Sequence, residues 1–352
     1  MSKNNIHFYN LKVSNIKKLT NDTVSLTFEV IDSLKPIFKF KNGQYINIKH
    51  KINNEKIIRS YSIHSSPLET ELSIAVKKIP GGKFSSYANE SIKVGDNLLV
   101  SPPNGNFTSI TNSNNSNKYL AFAAGSGITP IMSILKTILL TEKNSVFYLY
   151  YYNKSIESTI FIDELLKLKE KFKNKFILEL FYTRSNPPHS KRINIDKLNQ
   201  INQLIDLHTV SSFFLCGPQS MIFLIIDFLK NKTIEKSKIK YELFHNENLD
   251  LKDLSTSKNV SDVEIIIDDE TYILNSLESN EIILDRALKD EIDLPYSCMG
   301  GVCCSCKAKL IEGEVKMKSN FSLTDEEVTE GYILACQSIP VSKKIKIDFD
   351  EL

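Results

Sequence analysis

The sequence has no run of eighteen apolar residues, which excludes a membrane-spanning helix. Its N-terminus, MSKNNIHFYNLKVSNIKKL, lacks the uninterrupted apolar core that a secretory signal carries. It has no internal repeat, and the basic residues of 1–260 are scattered rather than gathered in an aromatic-laced stripe, so nucleic acid is not an expected partner. Cysteine is sparse: all but one of the six crowd into one small region, which argues against a disulfide framework in a chain without an export signal. The expectation is a cytoplasmic chain with no membrane partner.

What is present is ordinary globular material. The chain has 352 residues, 41% hydrophobic and 24% charged, enough for two or three domains. Its net charge of +2 hides a division. Residues 261–352 carry 20 Asp/Glu against 9 Lys/Arg, a net of −11, and residues 1–260 carry a net of +13. Two readings stand: both faces are simply solvated, or the acidic part docks electrostatically on a basic body that also suits anionic cofactors.

The strongest chemistry lies between Leu294 and Gln337, in LPYSCMGGVCCSCKAK and, some thirty residues on, GYILACQS. Cys298, Cys303, Cys306 and Cys336 follow C-x4-C-x2-C with one distant cysteine, the spacing of plant-type [2Fe–2S] ligation. Iron in a sulfide cluster is soft and takes thiolates, two from the protein on each iron. Gly300 and Gly301 suit a loop that must turn its backbone N–H groups toward sulfur. A structural zinc site usually pairs its cysteines in two close knuckles, and only one close pair exists here. Cys304 breaks no spacing and reads as a bystander, with a register ambiguity against Cys303 left open.

Residues 6–105 read as short strands punctuated by Lys41-Asn42-Gly43, Pro80-Gly81-Gly82 and Pro102-Pro103-Asn104-Gly105, a density that suggests a small antiparallel β-barrel. After the polar stretch 111–117, strands and helices alternate, which implies an α/β domain with a parallel sheet. The helices are expected over Pro130–Leu140, Ile160–Phe172 and Met221–Leu229. Residues 246–260 are polar and aperiodic, a linker. The expected domains are 1–108, 109–245 and, beyond the linker, 261–352.

Three strings in the first two domains have ligand chemistry. Arg59-Ser60-Tyr61-Ser62 follows a strand, with Ile63 beside it, and Gly82-Lys83-Phe84-Ser85-Ser86 comes some twenty residues later. An isoalloxazine wants an aromatic and a donor near N5, and a pyrophosphate wants a cation with backbone and hydroxyl donors. The bland alternative for R-x-Y-S is a barrel-edge arginine beside a half-buried tyrosine. Ala124-Gly125-Ser126-Gly127-Ile128-Thr129-Pro130 joins a strand to a helix, where glycines let amides approach a phosphate or ribose. It is not G-x-G-x-x-G. Cys216-Gly217-Pro218 lies at the equivalent carboxyl edge of another strand, and Cys216 also reads as a buried, inert thiol.

Taken in order, barrel, R-x-Y-S, G-G-x-x-S-S, G-S-G-I-T-P and C-G-P resemble the ferredoxin–NADP reductase superfamily. With a plant-type ferredoxin domain at the C-terminus, the chain resembles the fused reductases of multicomponent oxygenases. The strings G-G-V-C-C-S-C-K-A-K and G-Y-I-L-A-C-Q most resemble the phenylacetyl-CoA epoxidase reductase family. The resemblance implies a flavin-binding barrel, a nicotinamide-binding α/β domain and an α+β β-grasp ferredoxin domain. It also implies electron passage from NAD(P)H through FAD to the cluster and on to a partner oxygenase. It assigns Tyr61 and Ser62 to the flavin ring, Arg59 to the pyrophosphate, and Gly82, Ser85 and Ser86 to the phosphate turn. Thr129 and Cys216 fall near the nicotinamide, and Phe244 is the candidate aromatic that covers the flavin.

Where family members often carry N-R-[ST], this chain has Asn153-Lys154-Ser155, which keeps a cation but loses the arginine fork. Thr183-Arg184-Ser185 with Lys191 and Arg192 suits a 2′-phosphate, so NADPH is expected over NADH. The competing functions are a reductase for a Rieske-type oxygenase and, from another class, a flavin-free zinc-binding adaptor. A flavohaemoglobin-like enzyme is excluded because no stretch is left for a globin domain.

Overall fold

The computed structural model describes residues 7–53, 55–184, 192–244, 260–278, 280–296 and 298–351. The expected linker therefore lies outside the described residues, except Val260, which opens a strand. The chain divides into two compact units, Tyr9–Phe244 and one built on His245–Leu352.

The first unit begins with period-two strands that hide every second side chain, as Leu11 and Val13 do in β1 (Tyr9–Thr20). With β2 (Thr23–Glu29), β3 (Tyr45–Ile52), β4 (Glu55–Ser62), β5 (Leu72–Lys77) and β6 (Asn97–Val100) it forms an antiparallel sheet in the order β4-β3-β6-β1-β2-β5. A bridge from Ile63 to Ile74 ties the end of β4 to β5, joining the sheet's two outer strands. Arg59–Ser62 thus closes β4 itself rather than following a strand. Gly82 does not end in a simple turn: it caps α1 (Lys83–Glu90), whose Phe84, Ser85 and Ala88 are buried on one face.

The same unit continues with near-continuous apolar strands, as a sheet buried on both faces requires. These are β7 (Lys118–Ala124), β8 (Val146–Asn153), β9 (Phe176–Tyr182), β10 (Val210–Cys216) and β11 (Ile239–Glu242), all parallel in the order β11-β10-β7-β8-β9. The helices are α2 (Ile128–Thr141), α3 (Ile162–Lys171), α4 (Ile195–Leu204) and α5 (Gln219–Asn231). Helix α4 is not among the helices expected from the sequence; it opens with Asn194 accepting from the Lys197 amide. Because the strands are parallel, the residues after Ala124, Asn153, Tyr182, Cys216 and Glu242 share one carboxyl edge.

The second unit holds β12 (Val260–Ile267), β13 (Glu270–Glu278), α6 (Ile283–Lys289), β14 (Lys307–Glu312), β15 (Val315–Met317), α7 (Asp325–Thr329), β16 (Tyr332–Leu334), β17 (Ser338–Pro340) and β18 (Lys344–Asp348). Its main sheet runs β13-β12-β18-β14-β16, with β12 and β18 parallel and the other neighbours antiparallel. Helix α6 buries Ile283, Leu284 and Ala287 in a core shared with Val263, Ile265, Cys306 and Cys336. Among the described residues, no helix is long and apolar enough to cross a membrane.

Candidate functional site

On the barrel side, pairing of β3 with β4 holds the last turn of the R-x-Y-S strand in register, Tyr61 opposite Ile46 and Ser62 opposite Tyr45. Alternation then sends Arg59 outward, where its guanidinium donates to the Ile58 carbonyl at 2.7 Å. Tyr61 is half-buried with its ring 5.6 Å from that of Phe84, and burial pushes its hydroxyl well up. Ile63 is fully buried and donates its N–H to Gln44 O at 2.8 Å, so it shapes the strand end and offers no side chain to a ligand. At α1, Ser85 turns its hydroxyl back to Gly82 O at 3.2 Å, and a Cβ on Gly82 would meet Ser85 Oγ at 2.3 Å. No side chain caps this helix N-terminus, which suits it to phosphate. Ser86 is half-buried beside it, whereas Lys83 is exposed and paired with Glu55.

At the carboxyl edge of the parallel sheet, two loops pack backbone to backbone. A Cβ on Gly127 would meet Cys216 O at 2.1 Å, and one on Gly217 would meet Met221 Cε at 2.6 Å. Gly125 takes φ +54, and its carbonyl accepts from Tyr151 OH at 2.9 Å. Thr129 is buried and donates to Ser126 O at 3.0 Å. Cys216 is fully buried, and burial together with the nearby Glu242 carboxylate pushes its thiol well up, so it stays protonated and serves as a wall rather than a nucleophile.

Glu242 is the residue that sequence reasoning missed. Its string, Tyr241-Glu242-Leu243-Phe244, points only to the aromatic. Parallel pairing of β10 with β11 sets Glu242 beside Cys216, and Ser62 Oγ donates to Glu242 Oε2 at 3.0 Å. The residue keeps one partly open edge, but its carboxylate is enclosed; burial pushes it up to about 7 against the Ser62 hydrogen bond, which pulls down. The flavin string and the nicotinamide edge therefore meet at Ser62, Glu242, Cys216 and Gly127. Phe244 lies just beyond, 40% exposed.

Farther along the edge, the Thr183 amide donates to Asn153 O and the Arg184 amide to Lys154 O, both at 2.9 Å. This lays the Thr183-Arg184 turn beside Asn153-Lys154, with both cations exposed. Arg192 is exposed too, and Ser185 and Lys191 lie outside the described residues.

In the second unit, Cys298 is half-buried, and Cys303, Cys306 and Cys336 are buried. The Cys298 and Cys303 sulfurs stand 3.1 Å apart, and the Cys336 thiol is close enough to Cys298 and Cys306 for both to push it up. The Cys298 thiol is pulled far down by donation from Cys303 and Cys336 and from the Gly300 and Val302 amides, against the opposing effect of burial. The Cys303 and Cys336 thiols, which donate to it, are pushed up instead; four gathered sulfurs with the Gly300 N–H aimed at Cys298 fit an iron–sulfur cluster. Among the described residues no three metal-ligating side chains close on a single ion, which a two-iron group, with its ligands in two pairs, does not require. Gly301 takes φ +72, with Ser319 O 2.9 Å from where a Cβ would stand, so the loop excludes a side chain there. Cys304 turns away to Ser322 O at 3.5 Å.

Comparison with known proteins agrees with this geometry. Residues 10–109 match the oxidoreductase FAD-binding domain, residues 122–225 the oxidoreductase NAD-binding domain, and residues 265–341 the 2Fe-2S iron-sulfur cluster binding domain. The last match displaces the zinc alternative. The chain is 36% identical to one of the subunits of 1,2-phenylacetyl-CoA epoxidase of Escherichia coli (strain K12), over 97% of this chain and 98% of that protein. It is 30% identical to the ferredoxin reductase component of 3-ketosteroid-9-alpha-monooxygenase from Rhodococcus rhodochrous, over 96% of each. The solved structure of phthalate dioxygenase reductase superposes with a TM-score of 0.59 at 22% identity, over 97% of this chain and 98% of that one, a likeness of fold.

Proposed function

The chain belongs to the family of oxygenase reductase components that join FAD-binding, NAD-binding and 2Fe-2S domains in one polypeptide, and on that premise we propose that it passes electrons from NADPH to a partner oxygenase of the phenylacetyl-CoA epoxidase kind. The higher identity to the epoxidase protein than to the ketosteroid reductase supports that partner. When bound, the nicotinamide, FAD and [2Fe–2S] groups supply hydride donation, conversion of two-electron to one-electron transfer, and one-electron relay respectively. Division of the work among residues 1–108, 109–245 and 261–352 is part of the proposal.

The remaining roles belong to the chain. Tyr61 and Ser62 would hold the flavin ring, Tyr61 through its aromatic face and Ser62 from the strand end that its bond to Glu242 fixes. Arg59 and the N-terminus of α1 at Gly82, with Ser85 and Ser86 beside it, would hold the pyrophosphate. Gly125, Gly127, Thr129, Cys216 and Gly217 shape the nicotinamide edge and exclude water from it, and Phe244 would cover the flavin. Glu242 holds a proton against Ser62. Cys298, Cys303, Cys306 and Cys336 hold the cluster. The single observation that carries this reading is the 3.0 Å bond from Ser62 to Glu242, which joins the flavin string to the nicotinamide edge across 180 residues of sequence.

The adjacency of Lys154 and Arg184 supports NADPH, since two exposed cations on neighbouring turns of one edge suit a 2′-phosphate. Replacing both by alanine is expected to raise KM for NADPH about tenfold and leave KM for NADH unchanged. The direct test is the visible spectrum of the purified protein, titrated anaerobically with each coenzyme. Flavin and cluster bands that bleach, faster with NADPH, support the reading; a colourless protein overturns it.

A further inference from the structure

Helix α2 starts at the nicotinamide loop and buries every residue from Ile128 to Leu139, yet one stripe of it is polar. Ser133, Lys136 and Thr137 stand at i, i+3 and i+4, so they share a face. Polar groups buried in a helix are costly unless partnered. All three are partnered by one segment, the residues that follow R-x-Y-S. Ser133 Oγ donates to Ser65 O at 2.6 Å, and Thr137 Oγ1 and Ser66 Oγ lie 2.9 Å apart. Lys136 Nζ, on a side chain only 8% exposed, sits 2.9 Å from Glu69 Oε2 and 3.3 Å from Glu164 Oε1. The Ser66 amide donates to that same Glu69 oxygen at 2.8 Å, which closes the network.

Both halves of this contact are short extensions of the site. Ser65 lies three residues beyond Ser62 on the same run of chain, and Ser133 lies one helical turn beyond Thr129. Apolar contact would hold the two elements together and let them slide. Directional hydrogen bonds and an ion pair from a buried lysine to half-exposed carboxylates admit one register.

We propose that Ser65, Ser66 and Glu69 with Ser133, Lys136 and Thr137 form a polar latch that sets the spacing between the flavin and nicotinamide sites. They are positioning residues, and none is assigned a contact with either cofactor. The inference rests on the function proposed above. The reaction it serves oxidises NADPH to NADP+ and reduces FAD by two electrons, so a loosened latch should slow that transfer without weakening coenzyme binding.

The test is rapid anaerobic mixing of NADPH with the holoprotein, comparing Ser133→Ala, Thr137→Val, Thr137→Ser and Lys136→Met with wild type. The readouts are the long-wavelength nicotinamide–flavin charge-transfer absorbance, the limiting rate of flavin reduction, the coenzyme dissociation constant and the unfolding temperature. Ser133→Ala and Thr137→Val are expected to keep FAD and bind NADPH within about twofold of wild type, lose the charge-transfer absorbance and slow reduction about tenfold. Thr137→Ser, which keeps the hydroxyl, should behave as wild type. If Lys136→Met does not fold, the two milder variants decide. Variants that unfold at lower temperature but keep the wild-type absorbance and rate would show plain structural glue and overturn the latch. Wild-type protein that NADPH cannot bleach would instead overturn the proposed function on which the latch rests.

Discussion

The two units place their chemistry in opposite ways. In the second, three of the four cluster cysteines lie within nine residues, and the fourth follows thirty residues later. In the first, Ser62, Gly127, Cys216 and Glu242 come from four separate stretches, brought together by strand pairing and one hydrogen bond. A local loop can be lost without disturbing the rest, whereas an assembled site depends on every element that positions it. The units should therefore fail independently, and differently.

The largest effect should come from the local site. Cys336→Ser removes one of the four thiolates proposed to hold the cluster. Electron delivery to an acceptor protein should fall at least about a hundredfold, while NADPH still reduces the flavin within about twofold of wild type. Wild-type delivery from that variant would show that the local loop is not where the chain hands on its electrons.

Next is the close approach in the assembled site. Gly127→Ala sets a Cβ 2.1 Å from Cys216 O, with backbone on both sides and no flexible side chain to yield. Urea unfolding of the first unit should show a loss of about 1–3 kcal/mol, with the cluster absorbance intact.

Glu242→Gln separates the two units through pH. Burial lifts the Glu242 carboxyl to about 7, above its ordinary 4.5. Between those values the folded state holds a proton that the unfolded chain has released, so this group's contribution to stability falls as pH rises through the window and is level above it. Flavin reduction should likewise slow as pH rises through about 7. The glutamine variant should flatten both profiles, and neither change should touch the cluster bands.

The smallest effect concerns charge. With −11 in residues 261–352 and +13 in residues 1–260, delivery to an acceptor protein should change about threefold between low and high ionic strength. The limiting rate of flavin reduction at saturating NADPH should not change.

What was legible in the sequence follows the same division. The four cysteines proposed for the cluster stood out because C-x4-C-x2-C is a local spacing that plant-type ligation uses. Arg59–Ser62 and Gly125–Thr129 could be read as strings, but only their order along the chain lent them weight. Glu242 could not, because nothing in a run of Tyr-Glu-Leu-Phe says that β11 will pair beside β10 and aim a carboxylate at Ser62. Gly82–Ser86 reads as a glycine–serine turn, although Phe84 and Ala88 already stand at the helical spacing of α1. The polar stripe of α2 is visible in the sequence throughout. Ser133, Lys136 and Thr137 interrupt an apolar helix on a single face, and such a pattern in a buried helix signals a partner, not a solvated side.

The most direct test of the three-group relay is a count of the electrons taken up by one chain in an anaerobic reductive titration, with the flavin and cluster bands followed together. The relay requires about three electrons per chain, two for the flavin and one for the cluster, with both bands bleaching under NADPH. Uptake of two with unresponsive cluster bands, or of none, would contradict it.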